Sequence, residues 1–381
     1  MIKRVFPILA LAIFSSMLGI GIVVPLLPIY ADSMGASGVG LGVILAGFSI
    51  SRAVSTPIFG RISDRKGRKF LIVVGLLSYA IISPAYIWAD TVFLLVLIRF
   101  LHGVAGGMVI PIAQAYIGDV SPEGAEGKWM GYANAAFSSG FGVGPLMGGV
   151  LTEYFGMDVV FLAMGGLNLL AFSIAVFFLP ESSRRALAAG PHLSYKEISN
   201  SSIVKGLFSH RLAFSISRAV FITFIAIFAV TSLGLSLTHV GILLVVRISL
   251  QSLLAIPSGK IADRFDRRAL VIFGTIISFT HLALIPLSYN FWQLLALSAL
   301  GSIGGAISLL ASSAMTVEEG RKYGMGSAIA IISMALSLGM TIGPILGGVM
   351  VDLVDISAAF YFGAIMALLG AGLFTWFTRY K

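Results

Sequence analysis

The amino-acid sequence points to an all-α integral membrane protein, with twelve transmembrane helices in two six-helix bundles and the second bundle a parallel repeat of the first. Three features carry that reading. The 381 residues are 58% hydrophobic before any of the 44 glycines is counted, and only 11% are charged. Counting glycine and setting tyrosine aside gives roughly 67% apolar, against about 45–50% in a soluble domain. The apolar residues fall in twelve runs, each long enough to cross a bilayer, and landmarks of the first half return in the second at one offset. The same composition argues against disorder and collagen. With no cysteine in the chain, disulfide scaffolds and thiolate-held zinc or iron–sulfur centres are excluded as well.

A spanning helix needs about 20 mostly apolar residues to cross about 30 Å of hydrocarbon. By that measure the first bundle has spans at 6–31, 39–60, 70–89, 92–117, 129–152 and 159–179. The second has them at 212–235, 240–258, 269–289, 291–316, 325–351 and 358–378. Lys3 and Arg4 precede the first run as in a signal peptide, but the run is far longer than the apolar core of one, so it is read as a retained helix. Short links make neighbouring spans antiparallel. The exception is a polar stretch at 181–211 with Ser182-Ser183-Arg184-Arg185 and Ser199-Asn200-Ser201-Ser202, taken as a cytoplasmic linker between domains 1–180 and 212–381. Trp88, Trp292 and Trp376 fall near span ends, as expected of an interfacial belt.

The net charge of +9 reports topology. With twelve spans both termini share one side, and that side collects 21 of the 25 Lys and Arg, with none in the opposite loops. By the positive-inside rule it is the cytoplasm. The expectation is a multi-pass plasma-membrane protein with both termini cytoplasmic and no nucleic-acid partner.

The internal repeat has an offset of 199. It places Gly60 on Gly259, Asp64 on Asp263, Arg65 on Arg264, Arg68 on Arg267, and Gly144-Pro145 on Gly343-Pro344. Six spans per copy give both copies the same orientation, and parallel repeats of this kind occur in transporters whose bundles rock about a midplane site. The loop Gly60-Arg61-Ile62-Ser63-Asp64-Arg65-Lys66-Gly67-Arg68-Lys69 joins spans two and three, and its Gly-x-x-x-Asp-Arg returns at Gly259, Asp263 and Arg264. In span five, Gly140, Gly144 and Gly148 recur every fourth residue beside Pro145. Span eleven repeats them as Gly339, Gly343 and Gly347 beside Pro344. Such a stripe lets another backbone come close, and the proline frees a carbonyl, so a hinge or sliding contact is expected.

These motifs resemble those of the major facilitator superfamily over the whole chain. Gly60 to Lys69 resembles its loop signature, Arg99-Phe-Leu-His-Gly103-Val-Ala-Gly106-Gly107 its span-four signature, and Gly140 to Gly149 its span-five antiporter signature. Gly21 to Tyr30 and Pro180-Glu181 are similar to the twelve-span drug:proton antiporter branch. His102 stands where that span-four signature usually has glutamine, and Glu126 where arginine is common. The resemblance implies alternating access, a cavity lined mainly by spans 1, 4, 7 and 10, and export in exchange for protons. It also implies a cytoplasmic gate latched by Asp64, with Asp119 and the Arg61/Arg68 cluster, and a part for Arg99 in proton transfer or helix positioning.

Four arginines, Arg52, Arg99, Arg218 and Arg247, fall inside spans, and no Asp or Glu does. Each such charge costs about 2.5–3.5 kcal/mol at a helix centre unless it faces water or a partner. Arg52 and Arg247 either face a cavity and meet anionic substrate or hydrogen-bond helix-end carbonyls. Gln251 is the repeat partner of Arg52, while Gln114, Asn134 and Asn168 are further candidates for the pathway. Arg218 lies nearer the cytoplasm as a snorkelling or gate residue. His102 and His281 either titrate for proton coupling or pack as hydrogen-bonded neutral groups. Asp32 is either an outer proton acceptor or an exposed loop acid.

The expected activity is therefore a secondary transporter, not an enzyme, exporting a small drug-like or metabolite molecule in exchange for protons. The alternative is a proton-independent facilitator or exchanger of organic anions. No cofactor or metal is expected, and the partners are substrate, protons and lipid, with the chain a monomer.

Overall fold

The computed structural model describes residues 2–122, 125–181, 201–323 and 325–379. Twelve α-helices lie among them: α1 Ile2–Asp32, α2 Gly38–Lys66, α3 Arg68–Ile82, α4 Val92–Val120, α5 Glu126–Phe155, α6 Met157–Phe178, α7 Ser202–Ile227, α8 Leu237–Arg264, α9 Arg267–Leu284, α10 Phe291–Tyr323, α11 Met325–Leu353 and α12 Ile356–Thr378. Helix starts follow ordinary capping chemistry. Thr91 accepts from the Leu94 amide, Asp266 from Arg268 and Ala269, and Asp355 from Ala358. The twelve expected spans coincide with these helices. Trp88, Trp292 and Trp376 are exposed near helix ends.

One boundary and one helix's character differ from the sequence reading. Ser202 to Arg211, expected in the linker, are the first turns of α7. Ser201 caps them and also donates to the buried Glu319, while Leu207 and Ile203 pack in a core with Val271, Met315 and Phe374. The rest of the linker, 182–200, lies outside the described residues. The second difference is α5. Eleven helices hold an 18-residue stretch apolar enough to span a membrane, and α5 does not. Its 30 residues are diluted by Gly, Ser and Asn, because its inner face serves backbone contact more than apolar burial.

Close packing divides the chain into two units. The first holds α1, α2 from Val43 onward, α3 to α6, and Ser236–Val245 at the start of α8. The second holds Ser37–Gly42 at the start of α2, α7, α8 from Val246 onward, and α9 to α12. In the first unit α5 lies against α1. A Cβ at Gly140 would sit 2.5 Å from the Phe14 carbonyl oxygen, one at Gly144 2.7 Å from that of Leu18, and one at Gly148 3.2 Å from that of Ile22. In the second unit α11 lies against α7 in the same way, with Gly343 2.7 Å from the Ile216 carbonyl, Gly339 against Ser215 and Gly347 against Phe224. Both helices run unbroken through Pro145 and Pro344.

The duplication extends to two helix caps that the sequence reading missed. In the first unit Glu153, at the end of α5, accepts from the Thr238 amide at 3.3 Å. Hydrogen bonding by Thr238 and Ser236 holds this carboxyl below its usual pKa. In the second unit Asp352, at the end of α11, accepts from the Gly38 and Val39 amides at 2.5 and 2.9 Å. Acid and amides are related by the repeat offset. A carboxylate on a helix N-terminus meets both unpaired N–H groups and the positive end of the dipole.

Because Gly144 is enclosed by backbone, Gly144→Val should lower the thermal midpoint of the detergent-purified protein, with overpacking costing about 1–3 kcal/mol or more. Gly131→Ala, on the same helix but with nothing within 4 Å of the added carbon, should hold or slightly raise it, since alanine favours a helix interior over glycine.

Candidate functional site

Two kinds of site emerge: charged junctions at the basic end of the helices, and clusters buried near midspan. At the α2–α3 junction Gly67 has φ 98°, a left-handed conformation that suits glycine, and it starts α3. A side chain there would also strike the carboxylate of Glu181, 2.5 Å from the Cβ position. That carboxylate caps α3 by accepting from the Arg68 and Lys69 amides at 2.7 and 3.2 Å. Arg68 pairs with Asp64 at 2.6 Å and with Asp119, on α4, at 3.0 Å. Ser63 accepts from Arg68 and donates to the Gly60 carbonyl. Arg61 and Arg65 are exposed, as is Arg264 in the second copy. The side chain of Asp263 lies outside the described residues. In the second copy Arg267 pairs with Glu318 at 2.5 Å. Glu318 is Asp119 displaced by 199, so the signal was present in the sequence.

In the first unit, α2, α3 and α4 surround a buried polar cluster. The Arg99 guanidinium lies over the Phe48 ring at 4.6 Å, and Arg99 is 3% exposed. His102, one turn along α4, is 2% exposed. Its Nδ1 meets the Tyr86 hydroxyl at 3.0 Å and its Nε2 lies 3.4 Å from the Ser83 hydroxyl. The ring packs between Tyr79 and Tyr86, with centroids 5.1 and 5.3 Å away. Gly103 and Gly106 let α2 and the Tyr79 hydroxyl come close to α4. Arg52 is half-buried beside this cluster, its chain 3.6 Å from the Cβ position of Gly106.

In the second unit, α7, α8, α9, α10 and α12 enclose a cleft lined by Phe214, Arg218, Phe221, Arg247, Gln251 and His281, among others. The Arg247 guanidinium lies over the Phe221 ring at 3.8 Å and donates to His281 Nε2 at 3.1 Å. A guanidinium only donates, so that nitrogen carries no proton and the imidazole is neutral. Ser302 donates to the Arg247 carbonyl at 2.9 Å and ties α10 to α8. The two clusters are permuted copies. Arg247 occupies the repeat position of Phe48, and Ser298 that of Arg99. Gly301 occupies the position of His102, and a Cβ there would fall 2.7 Å from His281 Nε2. Each cluster thus sets an arginine over an aromatic ring and beside a histidine, with the histidine on the arginine's own helix in the first unit and on a neighbouring helix in the second.

The expected site residues are placed unevenly. Among the described residues the Arg247 guanidinium makes none of the carbonyl contacts that were one alternative, and Gln251 joins it in the cleft. Arg218, read as a snorkelling or gate residue, lines the same cleft one turn before Phe221. Gln114 is half-buried on α4 and Asn134 exposed on α5. Asn168, expected along the pathway, is 1% exposed, donates to the Met164 carbonyl and packs at the α1–α6 contact. Asp32 is an exposed residue at the end of α1. The aromatic partners Phe48, Tyr79, Tyr86 and Phe221 were missed, because a phenylalanine or tyrosine in an apolar helix has no sequence mark of its own.

The two basic-end pairs differ in burial. Arg68 and Asp119 are 13% and 6% exposed, whereas Arg267 and Glu318 are 27% and 55% exposed. Asp119→Asn should therefore destabilise the protein by about 1–3 kcal/mol, softened because Asp64 still faces Arg68, whereas Glu318→Gln should cost less than about 1 kcal/mol. Denaturation of both variants in one detergent would compare them.

Comparison with known proteins matches this arrangement. The chain matches the Major Facilitator Superfamily at residues 9–209 and again at 207–381. It is 30% identical over 404 residues to multidrug resistance protein 2 of Bacillus subtilis, covering 97% of this chain and 94% of that one. It is 28% identical over 378 residues to the quinolone resistance protein NorA of Staphylococcus aureus, covering 97% and 95%. A crystal structure of a bacterial homologue of the human lysosomal transporter Spinster superposes with a TM-score of 0.85 at 14% identity, over 99% of this chain and 97% of that one, a likeness of fold. With both halves matched, the chain belongs to the major facilitator superfamily and is a multi-pass membrane transporter rather than an enzyme.

Proposed function

We propose that this transporter exports small drug-like or metabolite molecules by alternating access, in exchange for protons. The observation that carries the reading is the buried arginine–histidine–aromatic cluster in each unit, polar groups kept inside membrane helices where packing alone would select apolar ones. The multidrug and quinolone resistance relatives support export as the direction. In this reading Gly60, Asp64, Arg65, Gly67, Arg68 and Asp119 work the cytoplasmic gate with Asp263 and Arg264. The glycine stripes of α5 and α11 let the tightly packed α1 and α7 slide. His102 and His281 are the protonatable groups, since the spans hold no carboxylate, and Arg99 positions the first of them. The protein works as a monomer in the plasma membrane.

Coupling is tested in inverted vesicles. With an acidic lumen they should accumulate an organic dye and release it on addition of a protonophore. Dye movement indifferent to the pH gradient would leave a facilitator or exchanger instead. His102→Gln and His281→Gln should each cut gradient-driven uptake while cargo-for-cargo exchange continues.

Orientation has its own test, aided by the absence of native cysteine. Ser33→Cys should react with an impermeant maleimide on intact cells, and Lys3→Cys only after permeabilisation. The opposite pattern would invert the topology.

A further inference from the structure

The cleft of the second unit has an unusual charge balance. Arg218 and Arg247 both line it, Gln251 adds an amide, and no carboxylate does among the described residues. Arg247 is fixed on one side by the Phe221 ring and on another by His281, which together use one face and one N–H of a group that has five. Arg218 has no hydrogen bond or ion pair among the described residues. Two guanidinium groups in one buried cleft repel each other, and an imidazole held as an acceptor does nothing to neutralise them. The open space is about 30 Å³, room for a small headgroup and too little for a whole drug-sized molecule. Phe214, Leu282 and Ala367 supply apolar wall beside it.

We infer that this cleft is a headgroup subsite for an organic anion: the carboxylate or sulfonate of the cargo sits between Arg247 and Arg218, with Gln251 donating to it, and its apolar body lies against Phe214. His281 is a positioning residue, which holds the Arg247 guanidinium flat on Phe221 so that its remaining donors face the anion. The inference deepens the transport reading above by naming the chemical class of the cargo.

The test uses the full chain in detergent micelles, with calorimetric titration of 2-naphthoate, acetate and 2-naphthylmethylammonium. Naphthoate should bind, acetate should bind more weakly for lack of a body, and the ammonium should not bind. Arg247→Gln and Arg218→Gln should each weaken naphthoate about ten- to a hundred-fold, the range expected for losing a charge-assisted hydrogen bond. His281→Gln, which keeps an acceptor for Arg247, should retain most of the affinity that His281→Leu loses, at equal thermal midpoints. Preference for the ammonium over the carboxylate in the unaltered protein would overturn the inference whether or not any variant folds. So would naphthoate affinity untouched by both arginine substitutions in folded variants. Arginine-dependent binding of naphthoate without flux would keep the subsite and remove the export reading for this cargo. Flux of organic cations alone would do the reverse.

Discussion

A guanidinium placed inside a bilayer needs a substitute for water, and the way Arg99 and Arg247 find one organises the interior of each unit. Neither has a carboxylate within reach among the described residues, and none occurs in any of the twelve apolar runs. Each lies instead across an aromatic face, Phe48 for Arg99 and Phe221 for Arg247. The ring quadrupole offers a partial negative charge without adding a second ion to desolvate. A histidine completes each cluster, on the same helix as its arginine in the first unit and on a neighbouring helix in the second. The result is a cation held in place and still short of a counter-ion, a state suited to a visiting ligand.

That interior depends on close helix contact. The glycine stripes of α5 and α11 seat these helices against α1 and α7, Gly103 brings α4 close to the α2 backbone, and Gly301 on α10 leaves room for the His281 ring. Hydrocarbon does not drive helices together in lipid, so contact of this kind relies on dispersion and on weak polar bonds between backbones. The basic-end pairs and the carboxylate caps of Glu153 and Asp352 repeat with the same offset. Duplication has thus preserved the mechanical parts, and the polar centres have diverged. The tight stripes and capped starts are where the same contact is made twice, whereas arginine and histidine have exchanged helices between copies.

Much of this was legible along the chain. Span positions held to within a few residues, since apolar length is a local property. Where they shifted, tertiary contacts intervened: Ser202 to Arg211 are polar enough to read as a linker, yet they become helix because Ile203 and Leu207 find a core to enter. The sequence offers Arg52, Arg247 and Gln251 as cavity candidates, with Gln251 as the repeat partner of Arg52, and Arg247 and Gln251 line one cleft in the second unit. Depth along a span places Arg218 toward the cytoplasmic end, and the face of α7 it occupies places it in the cleft lining. The polarity of Asn168 suggests a pathway residue, yet it is 1% exposed and its amide nitrogen donates to the Met164 carbonyl of its own helix.

Solvent, number of crossings, sidedness of charge and twofold repetition follow from residue chemistry alone, because each depends on composition or spacing summed over long stretches. Which ring receives which guanidinium does not follow. Phe221, Arg247 and His281 belong to three helices separated by loops and by dozens of residues, and only the packing of α7, α8 and α9 brings them within 4 Å. The permutation between the two clusters is invisible for the same reason: a repeat aligns positions, while chemistry depends on which neighbours in space those positions acquire.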